Sequence, residues 1–304
     1  MNDNRQPIVV GLDGSPGSDA AADYAARTAM RRDRPLRLVH GYLYPMGYGA
    51  LGYSPYSPAL PDPRDDAHAM VEEAAARLRD RYPKLSITTA EVAAGGAPAL
   101  LDASRHADLV VVGCRGVGGF TELLLGSVSS QVAAHAECPV IVVRPAEPAP
   151  PTDTAPPPPD GPVVVGVDGS PGSALAVEFA FAEAAARGVG LTAIHVCWFD
   201  KHVRPAESAE QYERRTREQA GDLVSDAVRP WLDKYPQVPV TTEVVLHLNV
   251  EYQMVEASRG ASLVVIGARG RGGFTGLLLG SVSQALVHHG HCPIAVVHAH
   301  RSSR

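Results

Sequence analysis

The sequence predicts an α/β protein made of two tandem, doubly wound domains, each with a five-stranded parallel sheet. A segment near the start, Ile8-Val-Val-Gly-Leu-Asp-Gly-Ser-Pro-Gly-Ser18, returns as Val163-Val-Val-Gly-Val-Asp-Gly-Ser-Pro-Gly-Ser173. A glycine-rich stretch, Gly113 to Ser127, returns 154 positions later as Gly267 to Ser281, with twelve of its fifteen residues unchanged. Within each copy, short apolar runs alternate with longer segments of helical spacing. That alternation implies right-handed crossovers onto a parallel sheet with helices on both faces.

In the first copy, Pro7 to Leu12 reads as a buried strand, and Asp13 to Ser18 as a turn carrying an N-cap serine. Ser18 to about Arg32 is an alanine-rich helix. Leu36 to Tyr42 is the second strand. Gly41 to Arg64 shows no helical or strand period, and a loop this long inside a compact domain is usually functional or mobile. Asp65 to Tyr82 is the second helix and Leu85 to Val92 the third strand. Ala97-Pro98 opens a third helix, proline being well placed in a first turn. Asp108 to Gly113 is the fourth strand, Ser127 to Ala136 the last helix and Pro139 to Val143 the last strand.

The second copy keeps this plan with a longer second helix, from about Pro205 to Tyr235. It has Leu248-Asn-Val-Glu251 where the first has Gly95-Gly-Ala-Pro98, with Asn249 as the candidate cap. The proline-dense run between Arg144 and Pro162 is an extended spacer. The expected domains are therefore residues 1–144 and 162–304, joined by a linker at 145–161.

The 304 residues are 45% hydrophobic and 20% charged, with net charge −6, as a globular protein without an electrostatic footprint for nucleic acid or anionic lipid would be. No apolar run approaches the roughly 20 residues of a membrane span, and Met1 to Pro7 carries no apolar signal core. A cytoplasmic protein is expected. Cys114, Cys138, Cys197 and Cys292 form no Cys-x-x-Cys pair, which argues against a zinc knuckle or dithiol site. Cys114 lies in the glycine stretch, where a helix N-terminus would lower its pKa, but its counterpart is Ala268. His135 and His289 match across copies, and His288, His289, His291, His298 and His300 cluster in one copy only. Neither pattern repeats with partners at ligand spacing, so no metal-binding side chains are assigned.

Ligands of open parallel sheets bind beyond the carboxyl ends of the strands, where strand order reverses. The Asp-Gly-Ser turn and the glycine stretch both lie at such ends. A glycine-rich turn entering a helix brings backbone N–H groups close to an anion, and phosphate is the obvious one. Neither standard nucleotide fingerprint is present. The only lysines are Lys84, Lys201 and Lys234, none after a glycine, so there is no P-loop. Asp13 stands where the dinucleotide motif needs its second glycine.

What is present is Gly113-x2-Gly116-x9-Gly126-Ser127 and Gly267-x2-Gly270-x9-Gly280-Ser281, each with an upstream aspartate, Asp13 or Asp168. This resembles the ATP-binding branch of the universal stress protein family, as a tandem pair over nearly the whole chain. The resemblance implies a fold of the adenine nucleotide alpha hydrolase type, strand order 3-2-1-4-5, with ATP and Mg²⁺ at the edge of strands one and four. It implies that Asp13 contacts ribose or the metal-phosphate end, and that the backbone beside His40 and Gly41 reads the adenine edge. Gly113 and Gly116 would admit ribose and phosphate, while Gly126, Ser127, Val128 and Ser129 would bind phosphate oxygens. The second set is Asp168, His195, Val196, Gly267, Gly270, Gly280, Ser281, Val282 and Ser283.

The residues also allow plainer readings. Asp13 and Asp168 would serve as turn caps, Ser127 and Ser281 as N-caps, and Arg115 and Arg269 either as counter-charges to phosphate or as solvated side chains. No catalytic residue is assigned: Glu122 would orient water, but its counterpart is Gly276. The expected function is an ATP-binding regulator or sensor with little or no hydrolysis. Two alternatives stay open, an ATPase or nucleotidyl-transfer enzyme and an interaction scaffold without nucleotide. The last strands, Val140 to Val143 and Ile294 to Val297, are apolar edges that invite pairing. The resemblance implies that they meet antiparallel, giving a dimer within one chain, with a homodimer of chains left open.

Overall fold

The computed structural model describes residues 5–44, 62–114, 116, 125–144, 161–199, 208–271 and 279–298. The first half runs β1 (Ile8–Gly11), α1 (Pro16–Arg32), β2 (Leu36–Gly41), α2 (Pro63–Arg81), β3 (Ile87–Val92), α3 (Gly96–Ser104), β4 (Leu109–Gly113), α4 (Ser127–His135) and β5 (Val140–Val143). The second runs β6 (Val163–Gly166), α5 (Pro171–Arg187), β7 (Leu191–Trp198), α6 (Ala209–Leu232), β8 (Val240–His247) and α7 (Val250–Ala257). A 3₁₀ turn (Ser258–Gly260), β9 (Leu263–Gly267), α8 (Ser281–His289) and β10 (Ile294–Val297) complete it.

Each half is parallel throughout, in the expected order 3-2-1-4-5. The halves are not separate sheets, however. The last strands pair antiparallel, Val140 with Val296, Ile141 with Ala295 and Val142 with Ile294, and so fuse both halves into one ten-stranded sheet.

The central strands are continuous Val/Ile/Leu runs because both of their faces are covered, as parallel sheets require. Alternate residues point to opposite faces. Ile8, Val10, Leu36, Leu38, Leu109 and Val111 pack with α1, α2, α5 and α6 in one layer. Val9, Val39, Val110 and Val112 pack beneath α3, α4, α7 and α8 in the other.

Several boundaries differ from the sequence expectation, each for a local reason. α1 begins at Pro16, and its cap is Ser15, whose hydroxyl accepts from the Ser18 amide at 3.2 Å; Ser18 already lies in the first turn. Proline at N1 fixes this start, and Ser170 with Pro171 repeats it in α5. α2 starts at Pro63 under an Asp62 cap, inside the expected loop, and residues 45–61 of that loop lie outside the described residues. β3 starts at Ile87 because the Leu85 amide closes a turn onto Tyr82. α6 starts at Ala209, where Ser208 and Gln211 form a capping box; Pro205 lies outside the described residues, as do residues 145–160 of the expected linker at 145–161. Asn249 caps α7 as expected, accepting from the Tyr252 amide at 2.7 Å.

Candidate functional site

β1 lies between β2 and β4, and β6 between β7 and β9, so in each half the turn after strand one and the stretch after strand four open onto one crevice. In the second half this crevice is a cleft of about 660 Å³. Its lining includes Asp168, His195, Val196, Gly267, Gly270 and Gly280 to Ser283, so the expected residues of the second copy come together there.

The aspartates hold the turns. Asp13 Oδ1 accepts from the Ser15 amide at 3.0 Å and hydroxyl at 2.6 Å. Asp168 Oδ1 accepts from the Ser170 amide at 2.9 Å, and its Oδ2 from the Arg271 amide at 3.1 Å. The capping role is therefore filled in both copies, and a carboxylate with about four lone-pair sites keeps capacity for a further donor. A Cβ on Gly270 would come within 2.5 Å of Asp168 Oδ2, and one on Gly116 would strike Asp13. These glycines let the loop after strand four close over the strand-one aspartate.

Gly113 and Gly267 are glycines for a different reason. A Cβ there would meet the backbone of Gly17 at 2.7 Å or of Gly172 at 2.8 Å. Their missing side chains admit the first turn of α1 or α5, which sets how closely that helix approaches the strand end. Gly41 is likewise crossed by the Ala94 carbonyl, 2.6 Å from where a Cβ would stand, whereas Val196 carries a side chain at that point.

Gly126 and Gly280, not the serines after them, are the N-caps of α4 and α8, and neither offers a side-chain cap. The first α-helical bonds run from Ser130 to Gly126 and from Gln284 to Gly280. The amides of Ser127, Val128 and Ser129, and of Ser281, Val282 and Ser283, precede those bonds and have no intrahelical acceptor. The hydroxyls of Ser129 and Ser283 do not face this opening; they donate to the Gly113 and Gly267 carbonyls at 2.5 and 2.8 Å. What the helix N-terminus presents is main-chain N–H, aided by the positive end of its dipole.

At the strand-two end, His40 Nδ1 lies 2.7 Å from the Leu12 carbonyl and His195 Nδ1 2.5 Å from that of Val167. A carbonyl only accepts, so Nδ1 carries the proton in both rings. Cys114 is buried in the core and 2% exposed, not presented to the crevice. Burial pushes the Cys138 and Cys292 thiols up to about 12. Arg115, Glu122 and Gly276 lie outside the described residues.

Sequence reading missed several residues of the second cleft: Ile194, Val250, Glu251, Met254 and Arg271. The caps Gly95 of α3 and Asn249 of α7 correspond, one residue off the sequence alignment, so Glu251 and Val250 stand where the first copy has Ala97 and Gly96; the sequence departure at 248–251 does fall at the rim of the second cleft. The Arg271 guanidinium lies where a side chain on Gly169 would project, and Gly169 has φ +74°. Its counterpart is Val117. Arg269 also lines the cleft and is exposed.

The profile of the Universal stress protein family matches residues 4–144 and again 161–298. The chain belongs to that family. It is 37% identical over 298 residues to the universal stress protein Rv2623 of Mycobacterium tuberculosis, covering 95% of each chain. It is 40% identical over 308 residues to the universal stress protein Mb2019 of Mycobacterium bovis, covering 95% of this chain and 94% of that one. Among solved structures, a universal stress protein from Archaeoglobus fulgidus covers 98% of this chain and 99% of its own, with TM-score 0.61 and 18% identity, a likeness of fold. Among the described residues of this universal stress protein, no helix is long and apolar enough to cross a membrane.

Proposed function

We propose that this universal stress protein binds one Mg²⁺·ATP in each half and acts in the cytoplasm as a nucleotide-dependent regulator or sensor, with little or no hydrolysis. The observation that carries the reading is the α8 N-terminus, repeated at α4. Three consecutive amides without intrahelical acceptors follow a glycine cap without a side chain, at the crevice that also holds Asp168 or Asp13. Such an end is a ready anion site, and it supplies from the main chain the charge complement that the absent P-loop lysine would give. The cleft volume falls within the roughly 300–1,000 Å³ usual for small-molecule sites.

The residues present fit an adenine nucleotide. Ile194, Val196 and Met254 give an apolar wall for a base, and the His195 ring, held through Nδ1 on the Val167 carbonyl, leaves Nε2 for the ligand. Asp168 would face the ribose or a metal ion, and the α8 amides with Arg269 and Arg271 the phosphates. Bound Mg²⁺ would neutralise phosphate charge. A hydrolase needs a base beside the transferring phosphate. Among the described residues the cleft is lined by two carboxylates: Asp168 holds the Ser170 and Arg271 amides and would face ribose or metal, and Glu251 has only Ala97 as counterpart. Bound nucleotide is therefore read as a state and not consumed. The test is release of nucleotide from the purified protein on denaturation, followed by single-turnover incubation with Mg²⁺·ATP. Fast, saturable phosphate release would replace the regulator with an enzyme.

A further inference from the structure

The seam between β5 and β10 is two-fold symmetric in its backbone. Ile141 pairs with Ala295, its own counterpart at an offset of 154, and Val140 with Val296, the counterpart of Val142. Strand pairing alone would therefore let the first half join a second copy of the first half as readily as the second half. The side chains of α1 and α5, which meet over this seam, break the symmetry. Arg32 and Arg187 are counterparts, and each stacks on an aromatic ring of the other half: Arg32 over Phe179 at 4.9 Å, Arg187 over Tyr24 at 5.6 Å. Between them lies Glu183, 2% exposed, whose counterpart is Thr28.

Glu183 Oε1 accepts from Arg32 Nε at 2.9 Å and Nη2 at 2.7 Å, while Oε2 accepts from Arg187 Nε at 3.0 Å and Nη2 at 2.6 Å. Arg187 Nη2 also donates to the Tyr24 hydroxyl at 2.6 Å, and Arg32 Nη1 to Asp108 at 2.7 Å. One acid, contributed from one side only, thus bonds an arginine from each half, and Asp108 gives Arg32 a second carboxylate.

We propose that this network is a pairing lock: the edge of the first half accepts the second half and rejects another copy of the first half. In a pair of first halves, the two-fold axis puts Thr28 where Arg32 now meets Glu183. That hydroxyl already donates to the Tyr24 carbonyl at 2.9 Å. Each Arg32 then keeps Asp108 but loses the Glu183 acceptor of its Nε and Nη2 while its side chain stays largely covered, and covered donors of a charged group left without an acceptor are strongly unfavourable. In a pair of second halves, two Glu183 side chains crowd the axis, and Phe179 replaces the hydroxyl that Tyr24 offers Arg187. The mixed pair satisfies every group. The sheet edge of each half is thereby consumed inside one chain instead of propagating between chains.

Two measurements test this. On the full chain, Glu183→Thr lowers Tm, and adding Thr28→Glu to it recovers most of the loss, because an acid at position 28 sits one turn before Arg32 and reaches Arg187 across the axis. No recovery overturns the symmetric lock. For selection, a protease site placed within residues 145–160 is cut in the folded protein, the cut sample is unfolded and refolded, and native mass spectrometry counts the pairs. The lock gives only first-with-second pairs, and Thr28→Glu brings in first-with-first pairs at comparable abundance. Statistical sorting of the unmodified protein, unpaired halves, or an unchanged distribution for Thr28→Glu would each overturn it.

Discussion

Replacing Gly267 with alanine is expected to loosen the second half and empty its cleft together. The added Cβ would lie 2.8 Å from the Gly172 carbonyl carbon, 3.0 Å from its oxygen and 3.1 Å from the Ser173 amide nitrogen, all backbone atoms. Gly267 cannot retreat easily, since it pairs with Val297 and its carbonyl accepts from Ser283. The first turn of α5 must therefore yield by several tenths of an ångström, carrying the Ser170 cap and the Asp168 turn with it. Forced overpacking of this kind costs about 1–3 kcal/mol. At about 2–4 °C per kcal/mol for a protein of this size class, Tm falls by roughly 2–12 °C. Gly113→Ala, where the backbone of Gly17 stands at 2.7 Å, should do the same to the first half. Gly221→Ala is the control: nothing lies within 4 Å of its Cβ in the middle of α6, and stability should rise by about 0.5–1 kcal/mol. Thermal unfolding by circular dichroism gives the first readout. Calorimetric titration with Mg²⁺·ATP gives the second, with one site lost per variant. Full stability and two sites in Gly267→Ala would refute the reasoning.

Glu183→Gln should cost about 3–5 kcal/mol, because it leaves Arg187 covered without its counter-charge and Arg32 with Asp108 alone. Burial alone would raise the Glu183 carboxyl, but the two guanidiniums outweigh it and hold it below the usual 4.5. Its contribution is therefore present above about pH 4.5 and is lost as pH falls through the depressed value. Urea midpoints against pH should show that acid limb in the natural protein and a flattened one in Glu183→Gln. Arg271→Val, which copies Val117, should weaken Mg²⁺·ATP at the second site by roughly tenfold or more, the equivalent of one charge-assisted hydrogen bond, and leave the first site unchanged in calorimetry. A thiol reagent at pH 8 should label neither Cys138 nor Cys292 in the native protein, since both thiols stay protonated and covered, and should label both in urea.

The fold was legible because its central strands are unmixed apolar runs and the chain states its plan twice. Helix starts were less so: Ser15 and Ser18 both offer a cap, and only proline at N1 separates them. The helix starts at the proposed anion end could be read from Gly126 and Gly280, since the groups they offer are main-chain and follow from a helix beginning at a glycine. Gly113 and Gly267 share the same motif but hold α1 and α5 close to the strands, a distinction that spacing cannot express. Met254 reaches the cleft on α7, more than eighty residues from the Asp168 turn, and only the departure at 248–251 hints at that approach. Glu183 with Arg187 looks like an ordinary pair one helical turn apart. Its partner Arg32 lies 151 positions away, and only the sheet seam brings it there.

The central claim is that each crevice holds a triphosphate on main-chain amides. Titrating folded, nucleotide-free protein with Mg²⁺·ATP in a calorimeter tests it most directly. Two equivalents of saturable heat per chain are predicted, and no heat from protein of native circular dichroism would contradict it.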